Sequence, residues 1–193
     1  GLLHEDLNTF RKINSKLQGH PNMNYVDGVD MSTGSLGQGI SAAVGMALAN
    51  KVDGNDHRIY TLLGDGECEE GEVWEAAMAA AHYRLNNLCA IVDFNSLQID
   101  GNIRDVMNPT PIDEKFKAFG WNVINIKGHD YEDIRFAFDE AKKEKEKPTM
   151  ILAHTIKGKG VSFMENNAAW HGSAPNAEQC AQAVKELEGE GNE

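Results

Sequence analysis

The sequence predicts a doubly wound α/β domain, a mostly parallel sheet with helices on both faces. Three observations carry that reading. Ile59-Tyr60-Thr61-Leu62-Leu63 and Leu88-Cys89-Ala90-Ile91-Val92-Asp93-Phe94 are short, nearly continuous apolar runs, the pattern of strands buried on both faces. Between them Glu72 to Arg84 is Ala-rich and helical, which makes a βαβ unit with a right-handed crossover. Strand and helix patterns then alternate to the end of a 193-residue chain, long enough for one such domain with a sizeable core and too short for two.

Along the chain, Leu7, Phe10, Ile13 and Leu17 form a helical stripe, so a helix is expected over Glu5 to Leu17. Gly19-His20-Pro21 ends it, and a polar, Gly-containing stretch runs to Asp30. Ser32 to Gly39 reads as a flexible loop opening into an Ala-rich helix from Ile40 to Asn50. Ala42, Ala43, Gly45 and Ala47 keep that helix thin enough to pack closely on a sheet. After the βαβ unit the pattern predicts a short helix over Asp113 to Phe119 and a strand over Trp121 to Ile126. A helix with a heavily charged outer face follows over Tyr131 to Lys147, then a strand over Thr149 to Thr155. Asn176, with Gln179 three residues on, opens the last helix with a capping-box pattern, and its acidic end, Glu186 to Glu193, is expected to fray. The chain carries no low-complexity tract and no internal repeat.

Composition narrows the function. Hydrophobic residues at 41% and charged residues at 25% are ordinary for a soluble globular protein. A formal net charge of -12 repels a polyphosphate backbone and anionic lipid headgroups, so nucleic acid and membrane surfaces are not expected partners. No apolar run approaches the roughly 20 residues that cross a bilayer. Gly1-Leu2-Leu3-His4-Glu5-Asp6 has no basic flank and apolar stretch of a secretory signal, and no initiator Met, so a fragment or processed product is expected. Cys68, Cys89 and Cys180 form no C-x-x-C pair and no zinc spacing, which fits reduced thiols in a cytoplasmic protein. An acidic protein that holds a small anion needs a local device: a metal ion, a helix N-terminus or a few placed cations.

Open α/β sheets bind ligands beyond the C-terminal ends of their strands. Gly64-Asp65-Gly66 follows the first strand of the βαβ unit and Asn95 follows the second. If those strands are neighbours, about 4.8 Å apart, Asp65 and Asn95 project into one crevice. A carboxylate oxygen and an amide oxygen are hard ligands, suited to Mg²⁺ or Ca²⁺ rather than zinc. With one main-chain carbonyl they leave room in an octahedron for two diphosphate oxygens and a water. Gly64 and Gly66 let the backbone approach without a Cβ, and the helix starting near Glu72 directs its positive end to the same place. Gly-Asp-Gly by itself is usually a turn, and so is Asn after a strand. Their combination at two strand ends with one helix between is the more specific signal.

Gly-Asp-Gly, a helix, then Asn95-Ser96-Leu97-Gln98-Ile99-Asp100-Gly101 resembles the thiamine diphosphate signature, with the spacing of transketolases. Gly19-His20-Pro21, Thr33-Gly34-Ser35-Leu36-Gly37-Gln38-Gly39-Ile40-Ser41 and Trp170-His171-Gly172 are similar to transketolase motifs in the same order, so the resemblance runs over nearly the whole chain. It implies a thiamine-diphosphate-binding fold and a cofactor held through Mg²⁺ or Ca²⁺. Asp65, Asn95 and the Leu97 main-chain carbonyl would be the metal ligands. Gly64, Gly66 and Glu67 would approach the diphosphate, with Gly34, Ser35 and Leu36 forming a loop along the cofactor. Leu36, Ile99 and Ile156 would pack on its rings in a low-dielectric pocket. The resemblance gives His20 and His171 catalytic places in a substrate channel. His20 would bond a donor hydroxyl, and His171 would reach the diphosphate and move protons, for which an imidazole is suited. His4, His57, His82, His129 and His154 read as surface or satisfied core residues.

Glu70 and Glu75 match acidic positions that link two cofactor sites across a transketolase dimer, although acids at a helix N-terminus are favoured by the dipole anyway. A homodimer or heterotetramer through that helix is therefore expected. A thiamine-diphosphate enzyme also uses a pyrimidine-binding domain, which is absent, and the transketolase N-terminal region has an upstream histidine-bearing segment, after which this chain begins. Thr155-Ile156-Lys157-Gly158-Lys159-Gly160-Val161 looks like the split form in which the two halves are separate subunits, with Lys157 and Lys159 either assisting phosphate binding or, the more ordinary case, serving as solvated loop cations. The resemblance thus implies that residues 1–193 form one diphosphate-binding domain, truncated at its N-terminus. With a pyrimidine-domain transketolase half it would transfer a two-carbon ketol unit between sugar phosphates. A deoxyxylulose-phosphate synthase, a 2-oxoacid dehydrogenase subunit and an inactive partner-binding domain are the alternatives.

Overall fold

In the computed structural model, residues 3–189 are described. Gly1 and Leu2, where the truncated start was read, and residues 190–193 of the acidic end lie outside the described residues. The chain runs α1 (Gln38–Val52), β1 (Ile59–Gly64), α2 (Gly71–His82), β2 (Leu88–Phe94), β3 (Leu97–Gln98), β4 (Gly101–Asn102), α3 (Ile103–Val106), α4 (Ile112–Ala118), β5 (Asn122–Lys127), α5 (Tyr131–Lys143), β6 (Thr149–His154) and α6 (Ala177–Gly189). β1, β2, β6 and β5 lie side by side in that order, every pair parallel. β3 and β4 form a small antiparallel hairpin beyond the end of β2.

Residues of β1 at odd positions and of β2 and β6 at even positions share one face. There Leu63, Ala90, Val92, Met150 and Leu152 meet Ile40, Ala43 and Ala47 of α1, Val73, Ala76, Ala77 and Ala80 of α2, and Phe116 of α4. The alanines keep α1 and α2 close to the sheet, as the sequence predicts. Trp121 fills the space beside Phe116 and donates its indole N–H to the Ala77 carbonyl at 2.8 Å, so its one polar atom is satisfied inside the core. On the opposite face Cys89, Ile151, Ala153 and Ile126 pack against Ala137 and Ala141 of α5. Each large aliphatic or aromatic side chain so buried contributes about 1.5–3 kcal/mol relative to exposure. Helices therefore cover both faces, and the doubly wound expectation holds.

Two elements differ from the sequence reading. Glu5 to Leu17 is not a helix: only Leu7–Thr9 forms a 3₁₀ turn, capped by Asp6, and Arg11 and Asn14 take left-handed φ of 59° and 65°. Leu7, Phe10 and Ile13 are 68%, 55% and 93% exposed, so the stripe has nothing to pack on, and a short helix without tertiary burial does not hold. α5 ends at Lys143 rather than Lys147, because Glu144 turns extended and its carboxylate accepts the N–H groups of Glu146 and Lys147. Pro148 also disfavours helical backbone at Lys147. At the start of α6 the capping box forms reciprocally: Gln179 N–H to Asn176 Oδ1 and Asn176 N–H to Gln179 Oε1, both 2.9 Å.

Candidate functional site

The parallel register sets Gly64 at the end of β1 opposite Asp93 near the end of β2, and Asp65 N–H continues the ladder to the Asp93 carbonyl at 3.1 Å. One residue beyond each strand the chain turns, and the turns meet. Asp65 is 1% exposed; its Oδ1 accepts the Gly66 N–H at 2.8 Å, and its Oδ2 accepts the N–H of Ser96. Asn95, directly before Ser96, accepts the Leu97 N–H on Oδ1 at 2.9 Å and donates from Nδ2 to Asp93 Oδ2 at 3.2 Å. Asp65 thus bonds the backbone of the turn that carries Asn95, at adjoining strand tips, while the Asn95 side chain bonds Asp93. The left-handed φ of 66° at Ser96 turns its N–H back onto Asp65.

Burial pushes the Asp65 carboxyl above the ordinary aspartate range, and the negative charge of Asp93 adds to the effect. The N–H groups of Ser96, Gly66 and Asn95 oppose it. A buried carboxylate that also feels the charge of a second one is an arrangement that a divalent cation would relieve. Among the described residues no three His, Cys, Asp or Glu side chains group as a metal centre. An ion here would therefore rest on one carboxylate completed by amide and main-chain oxygens, a donor set that suits Mg²⁺ or Ca²⁺. Gly66 is required sterically: a Cβ there would lie 2.9 Å from the Gln98 Cβ, so the turn after β1 sits directly on the β3–β4 hairpin. Gln98 reinforces this by donating to both carboxylate oxygens of Glu69, at 2.8 and 3.0 Å.

The expected cofactor loop lies beside this crevice. Gly34, Ser35 and Leu36 line a cavity of about 600 Å³ with Leu62 and Glu67. Gly34 has φ +107°, and a Cβ on it would fall 2.2 Å from Nδ1 of His20, so the His20 ring rests against this loop. A second cavity, about 410 Å³, is lined by Leu62, Asp93, Asn95, His129, Ile156 and Lys157. Leu62 lines both cavities, so they adjoin across the free edge of the sheet. Gly34, Ser35, Leu36 and Glu67 thereby line one of these cavities and Asn95 and Ile156 the other, with His20 resting on Gly34, while the buried Asp65 lines neither. His171 and Ile99 line neither cavity. His171 is exposed after the 3₁₀ turn Ala168–Trp170, and Ile99 is 66% exposed on the tip of the hairpin. Leu97 is half-buried in β3.

Several contacts around these turns join residues far apart in the sequence. The Glu67 carboxylate accepts the Gly37 N–H on Oε1 at 2.9 Å and the Gly64 N–H on Oε2 at 3.0 Å, tying the loop before α1 to the tip of β1. Asp93, read only as a strand residue, bonds both Asn95 and the Thr155 hydroxyl. His129, read as a surface or core residue, accepts the Ile156 N–H on Nε2 at 2.7 Å. The one sequence signal was Asp93 itself, a carboxylate in an otherwise apolar strand. Glu70 and Glu75 are exposed at the start of α2, and Glu72 accepts from the Gln38 side chain. Lys159 pairs with Glu165 at 3.5 Å on the surface, as a solvated loop cation would. Cys68 is buried beside the site with its thiol pushed up to about 12 by desolvation and then by the charges of Glu67 and Asp65, which leaves it an inert thiol.

The family described as "Transketolase, thiamine diphosphate binding domain" matches residues 1–192. The chain belongs to the transketolase family. It is 48% identical over 187 residues to the 6-deoxy-6-sulfo-D-fructose transketolase subunit SqwG of Clostridium sp. (strain MSTE9), covering 97% of this chain and 68% of that protein. It is 45% identical over 183 residues to an apulose-4-phosphate transketolase subunit from Phocaeicola vulgatus, covering 95% and 65%. The fold matches that of transketolase from Campylobacter jejuni with a TM-score of 0.86 at 37% identity, over 93% of this chain and 29% of that one. This transketolase-family chain spans about two thirds of the two subunits and under a third of the single-chain enzyme. The part of the family it represents is the one that binds thiamine diphosphate. No helix among its described residues is long and apolar enough to cross a membrane.

Proposed function

We propose that residues 1–193 form the diphosphate-binding domain of a split transketolase, working with a partner half that carries the pyrimidine-binding domain. The observation that carries this reading is the buried Asp65 carboxylate held against the Asn95-Ser96-Leu97 turn at adjoining strand tips. Asp65, the Asn95 amide oxygen and the Leu97 carbonyl would hold Mg²⁺ or Ca²⁺. Gly64, Gly66 and the Glu67 backbone would face the diphosphate. Thiamine diphosphate, when bound, supplies the carbanion that carries a two-carbon ketol unit. This chain's part is to bind it, orient it and keep water from it: Gly34, Ser35, Leu36, Ile99 and Ile156 provide apolar and backbone surface for the rings. We assign His20, whose ring rests on Gly34, to bonding a donor hydroxyl, and His171, exposed and lining neither cavity, to moving a proton at the sugar. Glu70 and Glu75, exposed on the α2 end, are available to an interface in a homodimer or heterotetramer.

The substrates we assign are anionic sugars. Both of the relatives above are named for anionic sugars, a sulfonated fructose and a sugar phosphate, and a bound cation beside Lys157 suits that class. The free cysteines support a reducing, cytoplasmic setting. Mixed with its partner half, Mg²⁺ and thiamine diphosphate, the chain is expected to convert xylulose 5-phosphate and ribose 5-phosphate to sedoheptulose 7-phosphate. Asp65→Ala is expected to abolish metal-dependent cofactor binding in calorimetry, and chelation should do the same to the unaltered chain. Cofactor affinity unchanged in Asp65→Ala would remove the site, and turnover of pyruvate in place of ketose would reassign the reaction.

A further inference from the structure

Asp93 stands at the junction of three strands: its Cα partners are Gly64 in β1 and Ala153 in β6. Each of its carboxylate oxygens has one partner. Oδ2 accepts from Asn95 Nδ2 at 3.2 Å, and Oδ1 accepts the hydroxyl of Thr155, 62 residues further along the chain. An ionised carboxylate has no proton to give, so it admits only the NH₂ end of the Asn95 amide. The amide oxygen is then turned the other way, where it meets the Leu97 N–H at 2.9 Å and keeps a second lone pair. Asp93 selects the NH₂ at one end and the Leu97 N–H the oxygen at the other; without Asp93 the Leu97 contact alone holds the amide, and an NH₂ directed at a cation would repel it.

The geometry points to Asp93 as a positioning residue that locks the Asn95 amide with its oxygen toward the ion site. Through Thr155 it also couples that site to the loop after β6. Thr155 N–H bonds the Phe94 carbonyl at 3.1 Å, and Ile156 N–H bonds His129 Nε2 at 2.7 Å. The turn carrying His129 is itself pressed on this loop: Gly128 N–H bonds the His154 carbonyl at 2.8 Å, and a Cβ on Gly128 would lie 2.4 Å from the Thr155 methyl. One carboxylate thus sets both an ion-ligand orientation and the place of Ile156. The competing view is that Asp93 only closes a strand end, in which case the direction of the Asn95 amide would not depend on it.

This inference rests on the reading of Asp65 and Asn95 as ion ligands, and the experiment separates the two. Mn²⁺, which takes the same hard oxygen ligands, serves as the probe, with bound and free ion read by electron paramagnetic resonance in the presence of thiamine diphosphate. D93N offers Asn95 a donor as well as an acceptor, and Mn²⁺ affinity is expected to fall about 10- to 100-fold, the usual effect of losing a partner that orients a metal ligand. The exchange variant D93N/N95D restores a carboxylate facing an amide and is expected to bind Mn²⁺ within about threefold of the unaltered chain, clear of the D93N loss. Should D93N fail to fold, the exchange variant alone decides. Mn²⁺ affinity in D93N within twofold of the unaltered chain, while D65A has lost it, overturns the inference and leaves the site standing. A folded exchange variant that binds no better than D93N overturns it as well. No Mn²⁺ binding by the unaltered chain removes both readings.

Discussion

Replacing Glu67 by Ala removes a side chain that bonds both the loop before α1 and the tip of β1. Its two carboxylate oxygens accept backbone N–H groups of Gly37 and Gly64 at 2.9 and 3.0 Å. Hydrogen bonds to a charged group contribute about 1.5–3 kcal/mol each, and a donor left without a partner adds its own desolvation cost. Both contacts are only partly buried, so water replaces some of what is lost. The net destabilisation is expected at about 2–4 kcal/mol, a fall in Tm on the order of 4–16 °C for a chain of this length. Glu67→Gln separates charge from shape. Its amide keeps one acceptor but turns an NH₂ toward one of the two N–H donors, so it should cost nearly as much as Ala despite its size. Thermal and urea unfolding, with thiamine diphosphate half-saturation measured in parallel, is the assay. Gly37 holds φ +81° at the start of α1, and once released it should loosen the Gly34–Leu36 wall and weaken cofactor binding several-fold. Both variants within 0.5 kcal/mol of the unaltered chain, about the spread of neutral surface changes, with cofactor affinity intact, would refute the clamp.

Gly66→Ala should cost about 1–3 kcal/mol, because its Cβ would come 2.9 Å from the Gln98 Cβ and the hairpin must shift. Since β3 carries Leu97 as well as Gln98, divalent-ion affinity should fall with stability, which titration of the purified variant checks. At pH 8, Ellman's reagent should modify one thiol of three in the folded chain. Cys180 is exposed, whereas burial holds Cys68 at about 12 and Cys89 at about 11. The other two should react only on unfolding, and rapid modification of Cys68 in the native state would contradict its placement.

Much of the frame was legible without coordinates. A parallel sheet covered on both faces requires near-continuous apolar strands, and Ile59–Leu63 and Leu88–Phe94 display them, so the βαβ unit follows from local pattern. Once those strands neighbour each other, parallel register brings the turns that follow them together, and Asp65 bonds the Ser96 N–H for that reason. The alanines of α1 and the capping box of α6 are equally local signals.

The rest depends on which strands lie side by side. The stripe Leu7, Phe10, Ile13 and Leu17 looks helical, yet helicity in a short segment needs a surface to bury against, and the fold offers that segment none. Asp93 finds Thr155, and His129 finds Ile156, only because β6 inserts between β2 and β5, an order that no single window of sequence encodes. Glu67 reaches Gly37 across 30 residues for a similar reason: α1 packs on β1. Periodicity reports whether a position is buried, and so it determined the elements and the strand tips. The choice of partner by a polar side chain is a property of assembled geometry, and so the hydrogen bonds that orient the site belong to the tertiary structure alone.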